Sequence, residues 1–507
     1  MPAHFRSYDR DQPLMFSSAL GDLIPQDHQV RFFIEVIESL NIPLNRFHVN
    51  YRGNGEAQYP PVMMLTLVIY CFANRIFSYR DIERATYDVL PVRYITGNLH
   101  PDFRTIAYFR ERNIEVFSEV FLEIVHLART SGLVTLGEVS LDSSQFRANA
   151  SKDRNYRIED IEREKEECQQ ILDKLLVEEA EAQRNDNTPS MKDLPDDLNT
   201  PQKRNQAIKK AELLLANLKK AEKALEKRAD EEYEKKLENY GNKMAQRESK
   251  REQGQKVLGY KPKEPKKEFD VNWQGNSTDP DSRLMTRRDM SHSPVDQNYN
   301  IQTIADNGSR IVVAVVATNN ASDGGQLTPM FEHLEKTVGK AGCVLADQGY
   351  INSSQMQALE ESGTEVLIPV GRNPLLDKHA YRIADQNASQ SNESSDNEQR
   401  SSQGRLLTGR RKQKKTVAHD SGKEERYSNP YLKQKQEQMQ QEDYQKRYKQ
   451  RGNVIESIFG IIKHNYKFAQ FHLRGLIKVQ SEVMLAFTAY NINRLFTLGF
   501  KLKGVKR

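Results

Sequence analysis

Arg310-Ile-Val-Val-Ala-Val-Val-Ala-Thr318 constrains this chain more than any other stretch. With no polar residue between Arg310 and Thr318, the run has no face to offer water, so it reads as a strand buried on both sides. Such a strand needs a layer above and a layer below. The neighbouring sequence supplies them. Tyr299-Asn-Ile301-Gln-Thr303-Ile-Ala305 alternates and is joined to the run by Asp306-Asn-Gly308, which predicts a hairpin. A helix pattern follows at Leu327, Met330, Phe331 and Leu334, then a short strand Cys343-Val-Leu345-Ala346 ending at Asp347. A helix from Gln355 to Leu359 and a strand Glu365-Val-Leu-Ile-Pro-Val370 complete an alternating section. Upstream, Glu138-Val-Ser-Leu-Asp142 also alternates, with an aspartate where the strand should end. The fold class is therefore α/β, with the pieces of one core far apart in sequence.

What separates them is charged. Residues 151–270 are dominated by Lys and Glu, with apolar residues in a 3-4 rhythm at Ala207, Ala211, Leu214, Leu218, Ala221 and Leu225. An earlier set lies at Ile158, Ile161, Cys168, Leu172 and Leu175. Prolines 189, 195 and 201 break the two sets, which predicts an antiparallel helical hairpin with a coiled-coil seam. Its mixed charges favour a solvated arm or dimer contact over a nucleic-acid clamp. Residues 371–445 lose periodicity and read as a polar, largely disordered insertion.

Before the first strand the chain is helical. Val30, Phe33, Ile34, Ile37 and Leu40 follow the helix-start candidates Asp27 and His28, Pro60-Pro61 opens an apolar helix, and Asp102 can cap a helix exposing Arg104, Thr105, Tyr108, Arg110 and Arg112. Short helices with a basic last member suggest a helix-turn-helix array; a bundle with a solvated Arg face is the alternative. The expected organisation is a helical domain over 1–130, an α/β core over 131–150, 271–370 and 446–507, and insertions at 151–270 and 371–445.

Net charge is +5 and the pI about 8.7, compatible with a polyanionic partner without requiring one. The three cysteines fit no paired spacing, which argues against a zinc site or disulfide framework. No apolar segment is long enough to span a bilayer, and the expectation is a soluble cytoplasmic protein without membrane contact.

Glu456 stands in Tyr448-Lys-Gln-Arg451-Gly-Asn453-Val-Ile-Glu456-Ser-Ile-Phe459-Gly460-Ile-Ile-Lys463. Helical spacing puts Glu456, Gly460, Lys463 and Lys467 on one stripe, with Val454, Ile458 and Ile461 opposite. Asn453-x-x-Glu456 can equally be a capping box that starts the helix, and Asp142 and Asp347 can equally begin turns. Together, three acids on three separated elements suit phosphodiester chemistry, in which carboxylates hold two divalent ions roughly 3.5–4 Å apart. Hard oxygen ligands favour Mg²⁺, with Mn²⁺ a substitute. Asp281, Asp296 and Asp306 are lesser rivals.

These residues resemble the DDE-type transposases of bacterial insertion sequences, in the insertion sequence 1182 branch that carries a Tyr-Arg-Glu-Lys signature. Leu141-Asp142-Ser-Ser-Gln-Phe, Asp279-Pro-Asp281-Ser-Arg283, Ala346-Asp347-Gln-Gly349-Tyr350, the stretch from Val454 to Lys463, and Pro101-Asp102-Phe-Arg104-Thr105 carry the likeness. The resemblance implies a ribonuclease-H-like core of mixed sheet with Asp142, Asp347 and Glu456 as metal ligands. It further implies Arg451, Lys463 and Tyr448 near the cut strand, the N-terminal helices on terminal inverted repeats, strand transfer to target DNA, and a homo-oligomer of dimer size or larger at the nucleoid. Arg451 lies one residue farther from Glu456 than the signature expects, which predicts a place on the helix's entry turn. A nuclease without strand transfer, and a DNA-binding protein with a dead core, are the alternatives.

Overall fold

The computed structural model describes residues 19–48, 58–184, 201–252, 260–270, 273–286, 295–370 and 429–502. The described residues begin with six α-helices: α1 (Gln29–Ser39), α2 (Pro61–Ala73), α3 (Tyr79–Asp88), α4 (Leu90–Thr96), α5 (Phe103–Arg112) and α6 (Ile114–Thr130). Their starts follow from local chemistry. The His28 ring accepts from the Val30 N–H, Pro61 needs no amide partner in the first turn, and Asp102 accepts from the Thr105 N–H at 2.7 Å.

One mixed sheet follows, built from β1 (Glu138–Arg147), β4 (Arg283–Thr286), β5 (Val295–Asp306), β6 (Val312–Thr318), β7 (Cys343–Ala346) and β8 (Glu365–Leu367). The order is β4-β5-β1-β7-β8, with β6 also on β5; β7 and β8 run parallel to β1, and the other pairs are antiparallel. This mixed α/β arrangement is consistent with a ribonuclease-H-like domain. β1 runs five residues past Asp142, so that acid sits within a strand and not at its end. Helices α9 (Leu327–Thr337) and α10 (Ser353–Glu361) connect β6 to β7 and β7 to β8.

The final helix, Leu476–Thr497, packs on α1, α2, α6 and β6, and one continuous apolar core joins the N-terminal helices to the sheet. It also closes an edge. Asn491 exchanges two hydrogen bonds with the Val312 backbone, and Gln480 accepts from Ala317 N–H and donates to Val315 C=O. Side-chain amides thus satisfy four backbone groups along the edge of β6.

Between β1 and β4 the chain leaves the core through the short pair β2 (Asn155–Tyr156) and β3 (Gly275–Asn276) and forms α7 (Ile158–Arg184) and α8 (Pro201–Glu252). These helices lie antiparallel: Lys165 meets Glu222 at 2.7 Å, and Ile161 is buried with Leu218, Ala221 and Leu225. Gly275 lies so close to α8 that a Cβ would stand 3.1 Å from the Ala221 carbonyl oxygen.

The expected polar insertion over 371–445 needs correcting at its end. Residues 371–428 lie outside the described residues, but Pro430–Gln438 is a helix and Glu442 begins another. Its apolar residues are few yet well placed: Met439, with Tyr444 and Tyr448, covers Cys343, Leu345 and Leu367 on the sheet. Lys435 is buried, donating to the Val366 carbonyl and pairing with Glu360.

Candidate active site

The parallel register of β1 and β7 sets Leu141 beside Ala346, so the next residues, Asp142 and Asp347, come side by side. Asp347 caps the turn Gln348–Tyr350, accepting from the Gly349 N–H at 3.1 Å. It is both a turn residue and a carboxylate at the rim. Asp142 is 9% exposed; it accepts from Ser143 N–H at 2.8 Å and from Arg451 Nη1 at 2.9 Å. Burial pushes the Asp142 carboxyl above its ordinary range, with Asp347 adding to the rise, while Arg451 and the Ser143 amide work against it.

Two expectations for the third acid are overturned. No helix starts at Asn453. Glu442–Arg451 is α-helical, Gly452–Glu456 is π-helical, Ser457–Gly460 returns to α and Ile461–Asn465 is again π, without a break. Asn453 and Glu456 are therefore interior helix residues and form no capping box. Arg451 is likewise not on an entry turn. In an α-helix residues five apart point about 140° away from each other. The π segment takes up the additional residue, and Arg451 Nη2 comes to 4.0 Å from Glu456 Oε1. The guanidinium thus bridges Asp142 and Glu456. Gly452 makes room for this: a Cβ there would lie 3.2 Å from Glu456 Oε1.

Tyr448 lies beneath Arg451, its ring centroid 5.6 Å from the guanidinium carbon; burial pushes its phenol up to about 12, against the pull of Arg451. Burial opposes the charge of Arg451, yet Tyr448, Asp142 and Asp347 hold it above its ordinary value. Lys463 donates to Ser144 Oγ at 2.7 Å and to the Gln145 carbonyl at 2.6 Å, with Nζ 4.5 Å from the Phe146 ring centre. Lys467 departs from the expected stripe. It is exposed, with φ of 56°, beyond the helix end at Asn465. A polar cleft of about 350 Å³ adjoins the acids, lined in part by Ser143, Ser144, Asn300, Asp323 and Lys463.

On α5, Arg104, Tyr108 and Arg112 are exposed at successive four-residue steps, and Arg112 lies over the Tyr108 ring at 5.5 Å. Thr105 is half-buried. Arg110 does not belong with them: it is 1% exposed, donates to Glu482 Oε1 at 3.0 Å and packs on the Phe72 and Tyr79 rings. Its place on the helix, two positions from Tyr108, turns it inward.

The rival acids have structural duties. Asp281 accepts from the Leu476 N–H and so holds the start of the final helix, together with its neighbour Asp279, which accepts from the Tyr299 hydroxyl and the Gly475 N–H. Asp306 accepts from Ser309 and Leu136 amides, and Asp296 faces Arg147 at 3.8 Å. Arg447 was not singled out in the sequence. It joins Glu138 on β1 to Glu365 on β8 and so fixes the acid-bearing helix across the sheet; its position one turn before Arg451 was the available signal.

Among the described residues no three His, Cys, Asp or Glu side chains are gathered as a metal-binding group. The donor chemistry nevertheless fits a hard divalent cation. Two neighbouring carboxylates, one of them buried, need positive charge, and the guanidinium of Arg451 supplies some of it while reaching the third acid.

Two family models match the chain: a Transposase DDE domain over residues 296–492 and a Transposase domain (DUF772) over 18–112. No curated protein and no solved structure matches it. The first match contains Asp347 and Glu456; Asp142 lies upstream of it. The second ends at Arg112, the last residue of α5.

Proposed function

We propose, with the two transposase-domain matches as premise, that this chain is a DNA transposase of the DDE type, of the insertion sequence 1182 branch. The observation that carries the reading is that one guanidinium, Arg451, reaches both Asp142 and Glu456 while Asp347 lies beside Asp142, the three acids coming from a strand, a strand end and a helix. These acids would hold two Mg²⁺ ions, with Mn²⁺ as substitute. When bound, such ions supply activation of the attacking oxygen and stabilisation of the leaving oxygen.

The chain's own residues do the rest. Lys463, tethered to β1 through Ser144 and Gln145, sets a fixed cation beside the cleft for the phosphate next to the cut. Tyr448 supports Arg451, whose charge moves from the acids to the DNA backbone as the site loads. The N-terminal helices form the DNA-binding part, with Arg104, Tyr108 and Arg112 presented to the terminal inverted repeats. The α7–α8 pair is the charged coiled-coil insertion. Water cleaves a strand at each end, and the freed 3′-hydroxyl attacks target DNA in line. Two ends held together require a dimer or larger, working at the nucleoid.

The test uses the full chain on oligonucleotides carrying the element's ends, with Mg²⁺. Asp142→Ala, Asp347→Ala and Glu456→Ala each abolish cleavage while leaving end binding in place; cleavage that survived any of them would remove that acid from the site. Pre-cut ends that join to target DNA identify a transposase, and cleavage without joining identifies a nuclease.

A further inference from the structure

A fourth carboxylate lies close to the trio, and nothing above gives it a role. Asp323 sits in the loop between β6 and α9 and is 8% exposed. Its Oδ1 accepts from Asn300 Nδ2 at 3.0 Å and from Gln302 Nε2 at 2.9 Å. Both amides project from β5, where Asn300 lies opposite Gln145 and Gln302 opposite Ser143, the residue after Asp142. Gln302 Oε1 in turn accepts from the hydroxyl of Tyr350, which is fully buried. Tyr350 closes the turn that Asp347 caps. Asp323 also reaches that turn directly, because a Cβ on Gly349 would stand 3.4 Å from Asp323 Oδ2.

One buried acid is therefore tied to the Asp347 turn by hydrogen bonds through Gln302 and Tyr350, and it lies against Gly349 of the same turn. The same acid fixes the β5 side chains that pair with β1 immediately beyond Asp142. Burying a carboxylate is costly unless it is well hydrogen-bonded, and two amide donors on one oxygen provide that.

We propose that Asp323 is a positioning residue: it sets the distance between Asp142 and Asp347 by anchoring the Gly349–Tyr350 turn to β5. The proposal rests on the reading of Asp142 and Asp347 as metal-holding acids.

The experiment is Mn²⁺ binding to the full chain by calorimetry, with circular dichroism to confirm folding, for the native chain, Asp347→Ala, Asp323→Ala, Asp323→Asn and Tyr350→Phe. Residues that orient metal ligands typically contribute about 10- to 100-fold in affinity. The expected result is Mn²⁺ binding by the native chain, its loss in Asp347→Ala, and weakening by about 10-fold or more in Asp323→Ala. Asp323→Asn keeps an acceptor for both amides and restores most of the affinity. Native affinity in a folded Asp323→Ala, with Asp347→Ala still defective, overturns the positioning role and leaves the transposase reading intact. Absence of Mn²⁺ binding in the native chain, or its persistence in Asp347→Ala, overturns the metal-site reading and this proposal with it. If Asp323→Ala does not fold, Tyr350→Phe decides: weaker binding supports the anchor, and unchanged binding overturns it.

Discussion

Arg110 Nη2 lies 3.0 Å from Glu482 Oε1, and the two side chains are 1% and 0% exposed. One belongs to α5, beside the exposed Arg104–Tyr108–Arg112 stripe, and the other to the final helix that clamps β6. The pair therefore joins the helices proposed to hold DNA to the sheet that carries Asp142. Breaking it strands a buried charge, which costs about 3–5 kcal/mol. Arg110→Ala should lower stability by that order in denaturant unfolding, and Arg110→Met with Glu482→Gln, which keeps an acceptor for the His472 and Leu473 amides, should recover most of the loss. A single mutant as stable as the native chain would show that the pair does not join the two parts.

The same carboxylate sets a pH dependence. Burial works against the charge on Glu482, but His472, Arg110 and the Leu473 N–H outweigh it and hold its pKa below the ordinary glutamate value. A depressed folded pKa gives stability that is present above the unfolded value, about 4.3, and lost as pH falls through the folded value. Melting temperature should fall on acidification below that range, and Glu482→Gln should flatten the fall. Equal slopes for both proteins would contradict the assignment.

The π segment yields a prediction about length. Removing Asn453 converts the segment to ordinary α-helix and leaves Arg451 and Glu456 four apart, still on one face. That variant should retain end cleavage. An alanine inserted at the same place turns Arg451 by about 100° and should abolish it. If both variants behave alike, the registration of Arg451 with Glu456 is irrelevant to cleavage.

On α5 the prediction separates surface from interior. Arg104→Ala and Arg112→Ala should each weaken end binding and reduce the slope of log affinity against log salt by roughly 1, with folding unchanged. Salt titrations in which the slope stays at the native value would take α5 off the DNA.

The sheet was readable because its strands carry strong patterns: the run ending at Thr318, the alternation from Tyr299 and the short Cys343–Ala346 segment all became strands. The neighbouring acids were readable for the same reason, since each follows such a pattern. Two things were hidden. A π segment has no signature in spacing alone, so the additional residue between Arg451 and Glu456 looked like a displaced arginine. Side-chain direction at α5 also depends on what packs behind it. Arg110 looks like its basic neighbours until Phe72, Tyr79 and Glu482, from distant parts of the chain, are brought beneath it. The helix at Pro430 was obscured because only Leu432 and Lys435 of its nine residues are buried.

The insertion ends next to Arg147, where β1 gives way to it, and Asn276 ties its returning strand to the Ser151 carbonyl. At 52 residues and about 1.5 Å per residue, α8 is roughly 78 Å long, comparable to two turns of B-DNA at about 34–36 Å each. It is seated near its middle, where Gly275 of β3 meets Ala221 and Leu225, so both of its ends project well beyond the strand pair that joins the insertion to β1.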